Sequence, residues 1–149
     1  MRKLLVLAML LLAGLTVTGT AGAVTDSGRT FRVTLLPSGD PDGSGTATVT
    51  VNPGTETVCY DIQVAGIDQP QEPAPGVGSA HIHVRPSGGI VVDLETQFVA
   101  GSTPGTFEAS GCVTADRDVL VDILRDPEQY YLNIHTVAHP GGAVQGDLG

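Results

Sequence analysis

The sequence predicts a mostly β protein, an antiparallel β-sandwich with one short helix. Apolar and polar residues alternate along several short segments, as they do in strands that bury one face. The chain also contains 20 glycines and 10 prolines, which divide it into short segments joined by turns. Helical spacing is visible in a single segment, residues 116–125.

Three strands are predicted in the first part of the chain. Residues 37–43, which contain Pro, Gly, Asp and Ser, form a turn between the first and the second strand. After the third strand, the proline-rich residues 69–76 make an extended loop that cannot join a central ladder. The apolar residues that share a face are Phe31, Val33 and Leu35 in the first strand, Ala47, Val49 and Val51 in the second, and Val58, Tyr60, Ile62 and Val64 in the third.

Further strands are predicted at residues 79–84, 90–94, 105–113, 130–137 and 143–148. Residues 90–94 are almost continuously apolar, which is typical of a strand covered on both faces. The helix at 116–125 has an apolar stripe and two aspartates in its first turn, and the next turn begins at Asp126 with a proline after it. The stripe consists of Val119, Leu120, Ile123 and Leu124.

The first 23 residues read as a signal peptide. Arg2 and Lys3 precede a short apolar run at 4–15, and Ala21 to Ala23 form the small-residue pattern at which signal peptidase cleaves. A retained membrane anchor is the weaker alternative, because the apolar run is short and no basic flank follows it. We expect cleavage after Ala23, leaving one domain at 24–149, secreted or periplasmic, without a transmembrane anchor.

The charge balance excludes some partners. Removal of residues 1–23 takes Arg2 and Lys3 away, and leaves five arginines, no lysine and sixteen acidic residues, a formal charge of −11. Such a surface repels phosphate, so we predict no nucleic-acid binding and little attraction to anionic membranes.

The two cysteines, Cys59 and Cys112, are interpreted as a disulfide, because an exported chain with one pair of cysteines folds in an oxidising compartment. Two buried free thiols are the alternative. A Cys-x-x-Cys redox motif and a cysteine-rich zinc site are excluded by the count.

The four histidines fall in two clusters, His81 with His83, and His135 with His139. His81 and His83 share a face of their strand, because side chains repeat with period two. His135 lies in phase with Tyr131 and Asn133. If the two strands pair, His81, His83 and His135, with His139 as a further candidate, could bind copper or zinc. Alternatively, the rings hydrogen-bond to backbone carbonyls, Asn133 or Thr136, without a metal.

Several separated motifs resemble the CHRD (chordin-type) domain over about residues 31–148. The resemblance implies an extracellular, β-rich module, found singly in bacterial secreted proteins and in tandem in chordin, with no settled activity. The chain departs from the family pattern at Val84 to Pro86, where a Gly-Pro pair is common, and at Gln145, where Arg is common. The motifs that carry the resemblance are Val58-Cys59-Tyr60, Ala80-His81-Ile82-His83, the segment 89–94, the segment 127–136 and the segment 140–146.

A weaker resemblance is to the Cu/Zn superoxide dismutases, in which a His-x-His pair also lies on a strand of a β-sandwich. His81 and His83 match that pair, but the other histidines and the zinc-binding aspartate of that enzyme have no clear counterpart. The acidic chain also offers only Arg85 near the pair, whereas an anionic substrate favours a positive funnel.

We therefore expect a sandwich with superoxide dismutase-like or immunoglobulin-like architecture, acting as a binding or structural module rather than an enzyme. An extracellular protein or a cell-envelope component is the expected class of partner. A copper-dependent superoxide dismutase-like enzyme is the alternative.

Overall fold

The computed structural model describes residues 28–71 and 78–149. The predicted signal peptide with its cleavage site, and residues 72–76 of the predicted proline-rich loop, lie outside the described residues. Within them the chain forms nine strands, one α-helix and one 3-10 turn. These are β1 (Arg29–Pro37), β2 (Ser44–Asn52), β3 (Thr57–Ala65), β4 (Ala80–Val84), β5 (Gly89–Asp93), β6 (Val99–Ala100), β7 (Thr106–Thr114), α1 (Arg117–Arg125), the 3-10 turn Pro127–Gln129, β8 (Tyr130–Ile134) and β9 (Val144–Asp147).

The described strands form one antiparallel sheet in the order β5-β4-β8-β9-β1-β2-β3-β7-β6. β1 connects the two halves of this sheet, because its residues up to Leu35 pair with β2 whereas Leu36 and Pro37 pair with β9. The sheet curls so that the apolar faces of both halves contribute to a common core. The protein is therefore a mostly β, sandwich-like domain, as predicted.

The alternation predicted for the first three strands is confirmed. Val33 and Leu35 of β1, Val49 of β2 and Ile62 of β3 are buried, and the residues between them point outward. Register pairs such as Val33 with Ala47 place apolar residues beside each other on the inner face. Burial of this face supplies the main driving force for folding.

Helix α1 begins after Asp116, whose carboxylate accepts hydrogen bonds from the backbone N–H groups of Asp118 and Val119. Leu120, Val121 and Ile123 are buried. The predicted stripe is thus confirmed at its centre, while its flanks, Val119 and Leu124, are only partly buried. None of the helices in the described part of the chain has the length and apolar character needed to cross a bilayer.

The prediction that residues 90–94 are covered on both faces is wrong. β5 pairs with β4 and has no partner on its other side among the described strands. Ile90 is consequently 49% exposed, and Val92 is the residue of β5 that is buried. The short strand β6 was not predicted, because a two-residue strand has no periodicity to detect. β8 ends at Ile134, earlier than predicted, since the chain turns there into the loop that carries His139.

The predicted disulfide between Cys59 and Cys112 is confirmed. The two cysteines are register partners on the neighbouring strands β3 and β7, and their Cα atoms are 4.0 Å apart. They alternate with the buried Val58 and Tyr60, so the bond lies on the outer face of the sheet.

Candidate metal centre

Strands β4 and β8 bring three histidines together. His81 and His83 lie on one face of β4, and His135 follows the last residue of β8. One nitrogen from each ring can be chosen so that all three lie within 4.8 Å of one another. The ring centroids are 5.6 Å apart for His81 and His83, 4.9 Å for His81 and His135, and 5.9 Å for His83 and His135. We call these three residues the histidine group.

The histidine group is buried on the face of β4 and β8 opposite the apolar core. The alternate residues Ala80, Ile82 and Leu132 point into that core, so the histidines point away from it. They are nevertheless only 0–7% exposed. Burial of polar rings on an outer face requires covering loops, and two of these loops bond directly to the histidines.

His83 and His135 are held in the same way. The Nδ1 atom of His83 lies 2.9 Å from the carbonyl oxygen of Gly88, and that of His135 lies 2.9 Å from the carbonyl oxygen of Pro140. A carbonyl only accepts, so each Nδ1 carries the proton and each Nε2 carries a lone pair. Both Nε2 atoms are buried without a hydrogen-bond partner among the described residues. A ring anchored through Nδ1–H with a free Nε2 is the usual arrangement of a metal-ligating histidine.

His81 is held differently. Neither of its ring nitrogens, both buried, makes a hydrogen bond of good geometry within residues 28–71 and 78–149, and the backbone of Gly78 has only a minor effect on the ring, which raises its pKa. Its Nε2 lies 3.9 Å from a carboxylate oxygen of Asp93, the residue opposite it on β5. The Asp93 carboxylate is itself fixed, because it accepts hydrogen bonds from the backbone N–H groups of Gly78 at 3.0 Å and Glu95 at 2.8 Å.

The electrostatics of the histidine group favour neutral rings. Burial, followed by the neighbouring His135 ring, lowers the pKa of His81 to about 4. Burial also lowers the pKa of His135. At neutral pH these two rings are therefore uncharged, and each keeps one N–H and one lone pair, which is the state that binds a metal ion.

The predicted supporting residues Asn133 and Tyr131 flank the histidine group. Asn133, which lies opposite His81 in the register, donates a hydrogen bond to the carbonyl oxygen of Gly141 at 3.1 Å. The Tyr131 ring stacks on His83 at 5.1 Å, with an interplanar angle of 15°. On Tyr131, in turn, lies the guanidinium of Arg85, 4.5 Å from the ring centroid.

Glycines shape the two covering loops. Gly88 and Gly142 have φ values of +68° and +119°, which L side chains rarely adopt. A Cβ atom on Gly142 would also collide with the Asn133 side chain. In both loops the anchoring carbonyl comes five residues after the histidine.

His139, the fourth predicted ligand, lies outside the histidine group. Its Nε2 is 3.5 Å from a carboxylate oxygen of Asp40, and its backbone N–H donates to the Thr136 hydroxyl at 3.1 Å. The loop after β8 turns the His139 side chain towards the residues after β1. Thr136 thus supports this loop rather than a ring of the histidine group. Asp93 was missed, although its position in the strand after the His-x-His pair could have suggested it.

The fold and the site define a class of protein, a disulfide-linked β-sandwich domain with buried histidines on one outer face. The chain belongs to the CHRD domain family, whose model matches residues 16–148. This match supports an extracellular-type binding module whose ligand is unknown. No curated protein and no solved structure matches the chain.

Proposed function

We propose that this CHRD domain is a secreted or periplasmic metal-binding module in which His81, His83 and His135 hold one copper or zinc ion. The observation that carries the proposal is the set of buried ring nitrogens without partners in the described part of the chain, four atoms in three adjacent rings. A buried polar atom without a partner is unfavourable by about 1–3 kcal/mol. A metal ion would satisfy three of these atoms at once.

The donor set fits these metals. Imidazole nitrogen suits both zinc and copper, and a centre with three histidines leaves a further position for water or a partner's ligand. Nitrogens bound at about 2.0–2.1 Å to one tetrahedral ion lie about 3.3 Å apart. The ligand atoms, now within 4.8 Å, would therefore approach by about 1.5 Å at most.

The alternative, histidines that only hold loops in place, accounts for part of the contacts. The bonds of His83 and His135 to backbone carbonyls stabilise the two covering loops with or without a metal. The purely structural alternative does not account for His81, which is 0% exposed and, among the described residues, makes no hydrogen bond of good geometry through either nitrogen. This ring favours the metal proposal over the purely structural one.

Export is also a proposal. Cleavage after Ala23 would release the domain into an oxidising compartment, where a disulfide such as Cys59–Cys112 persists. Amino-terminal sequencing of the protein recovered from the medium or periplasm should begin at Val24.

Metal analysis of the exported protein tests the proposal. After removal of metal with a chelator, titration with Zn2+ or copper should reach one equivalent per chain. His81→Gln, His83→Gln and His135→Gln should each weaken binding by more than the roughly 10–100-fold typical of losing an outer-shell partner. His139→Gln, a histidine variant outside the group, should bind normally. A folded protein that binds no equivalent, or a triple variant that still binds one, would contradict the proposal.

A further inference from the structure

We infer that the site uses His81 through Nδ1 and the other two histidines through Nε2, and that Asp93 sets this difference. This inference rests on the proposed metal site. Asp93 is a positioning residue: it accepts a hydrogen bond from Nε2–H of His81 and so leaves Nδ1 free for the ion.

Asp93 lies beside the His81 ring. His81 and Asp93 are opposite each other on β4 and β5, so their side chains share a face. The distance from His81 Nε2 to the Asp93 carboxylate is 3.9 Å, whereas a charge-assisted hydrogen bond measures about 2.7–2.9 Å. Backbone N–H groups of Gly78 and Glu95 hold the carboxylate in place, so the His81 ring is the partner that would move.

The neighbouring carboxylate determines which ring nitrogen of His81 carries the proton. A neutral ring has one N–H, and a carboxylate beside Nε2 favours the tautomer in which Nε2 carries that proton. The lone pair then lies on Nδ1. Metal binding at Nδ1 would make Nε2–H a stronger donor and draw it closer to Asp93.

With this assignment every ring nitrogen in the histidine group has either a hydrogen-bond acceptor or the metal ion as its partner. His83 and His135 donate through Nδ1 to backbone carbonyls, and their Nε2 atoms remain for the ion. His81 would donate through Nε2 to Asp93, and its Nδ1 atom would remain. The four buried nitrogens that now have no partner in the described residues would each then have one.

The opposite assignment, with His81 bound through Nε2, is less consistent with these contacts. It would turn the carboxylate-facing nitrogen to the metal and give up the interaction with Asp93. The contact of the ring with the Gly78 backbone does not reach hydrogen-bond geometry and so replaces it poorly.

Long-range 1H–15N NMR spectra of the full mature protein distinguish the two assignments, because they report which ring nitrogen is protonated. With Zn2+ added, His81 should show protonated Nε2 and bound Nδ1, and His83 and His135 the reverse. Asp93→Asn, which removes the charged acceptor, should lower zinc affinity about 10–100-fold and shift the His81 tautomer. Asp61→Asn, which removes the same charge from β3 in the other half of the sheet, should change neither.

The metal-free spectrum separates failure of this inference from failure of the proposed function. If Zn2+ does not bind, the metal proposal fails, yet His81 of the metal-free protein should still carry its proton on Nε2 and lose that preference in Asp93→Asn. Zinc bound at Nε2 of His81, a proton on Nδ1 in the metal-free ring, or an Asp93→Asn variant with unchanged tautomer and affinity would overturn the inference.

Discussion

Acid should destabilise the metal-free domain through His81 alone by about 2 kcal/mol between pH 6.5 and pH 5. The ring has a pKa of about 4 in the folded protein against 6.5 unfolded, mainly because it is buried. The unfolded chain therefore binds a proton first as the pH falls. Each pH unit within this window lowers the free energy of unfolding by about 1.4 kcal/mol. The stability is complete above pH 6.5, and its loss reaches about 3 kcal/mol near pH 4.

Urea denaturation at several pH values, with metal removed by a chelator, measures this effect. The comparison is His81→Gln, whose free energy of unfolding should fall less steeply by about 1.4 kcal/mol per pH unit. Ile82→Val, a buried control on the same strand, should lose about 0.5–1.5 kcal/mol equally at every pH. If the His81 variant is too unstable to measure, NMR titration of this ring in the wild type gives its pKa directly. Parallel pH profiles, or a ring that titrates at 6.5 or above, would refute the reasoning.

Three other predictions concern the disulfide, the covering loop and the alternative activity. Thiol titration of the unfolded, unreduced protein should find no free thiol, and replacing Cys59 and Cys112 by serine should lower the free energy of unfolding by about 4 kcal/mol, since the bond joins positions 53 residues apart. Gly142→Ala should destabilise the domain by about 2 kcal/mol and weaken zinc binding, because residue 142 has a φ of +119° and its new Cβ atom would collide with the Asn133 side chain. Gly141→Ala, whose Cβ atom meets no described atom within 4 Å, should do neither. The copper-loaded protein should consume superoxide no faster than free copper; faster consumption that is lost in variants of the histidine group would support the dismutase-like enzyme instead.

Sequence pattern predicted most of the fold. The alternation around Val33, Val49 and Ile62 identified both the strands and their inner faces, because side-chain direction in a strand depends on local geometry. The helix was equally predictable from the sequence, since its cap at Asp116 and its apolar stripe are local features. Ile90 was predicted to be covered on both faces but is half exposed, because its place at the edge of the sheet depends on strand order.

The candidate site, too, was predictable from the sequence only in part. That His81 and His83 share a face follows from their spacing in the sequence, and the cysteine count together with the expected export was enough to predict the disulfide. The sequence could not say that His135 joins them while His139 turns towards Asp40, since this depends on where β8 ends and how the next loop folds.

The carbonyls that anchor two of the rings and the carboxylate opposite the third were also decided by the tertiary structure. The anchoring carbonyls of Gly88 and Pro140 belong to the backbone, which every residue has, so residue type does not reveal them. Asp93 comes beside His81 through the pairing of β4 with β5. Local periodicity determines the direction of a side chain, but strand register and loop closure depend on contacts between distant segments, and these determine which side chains meet.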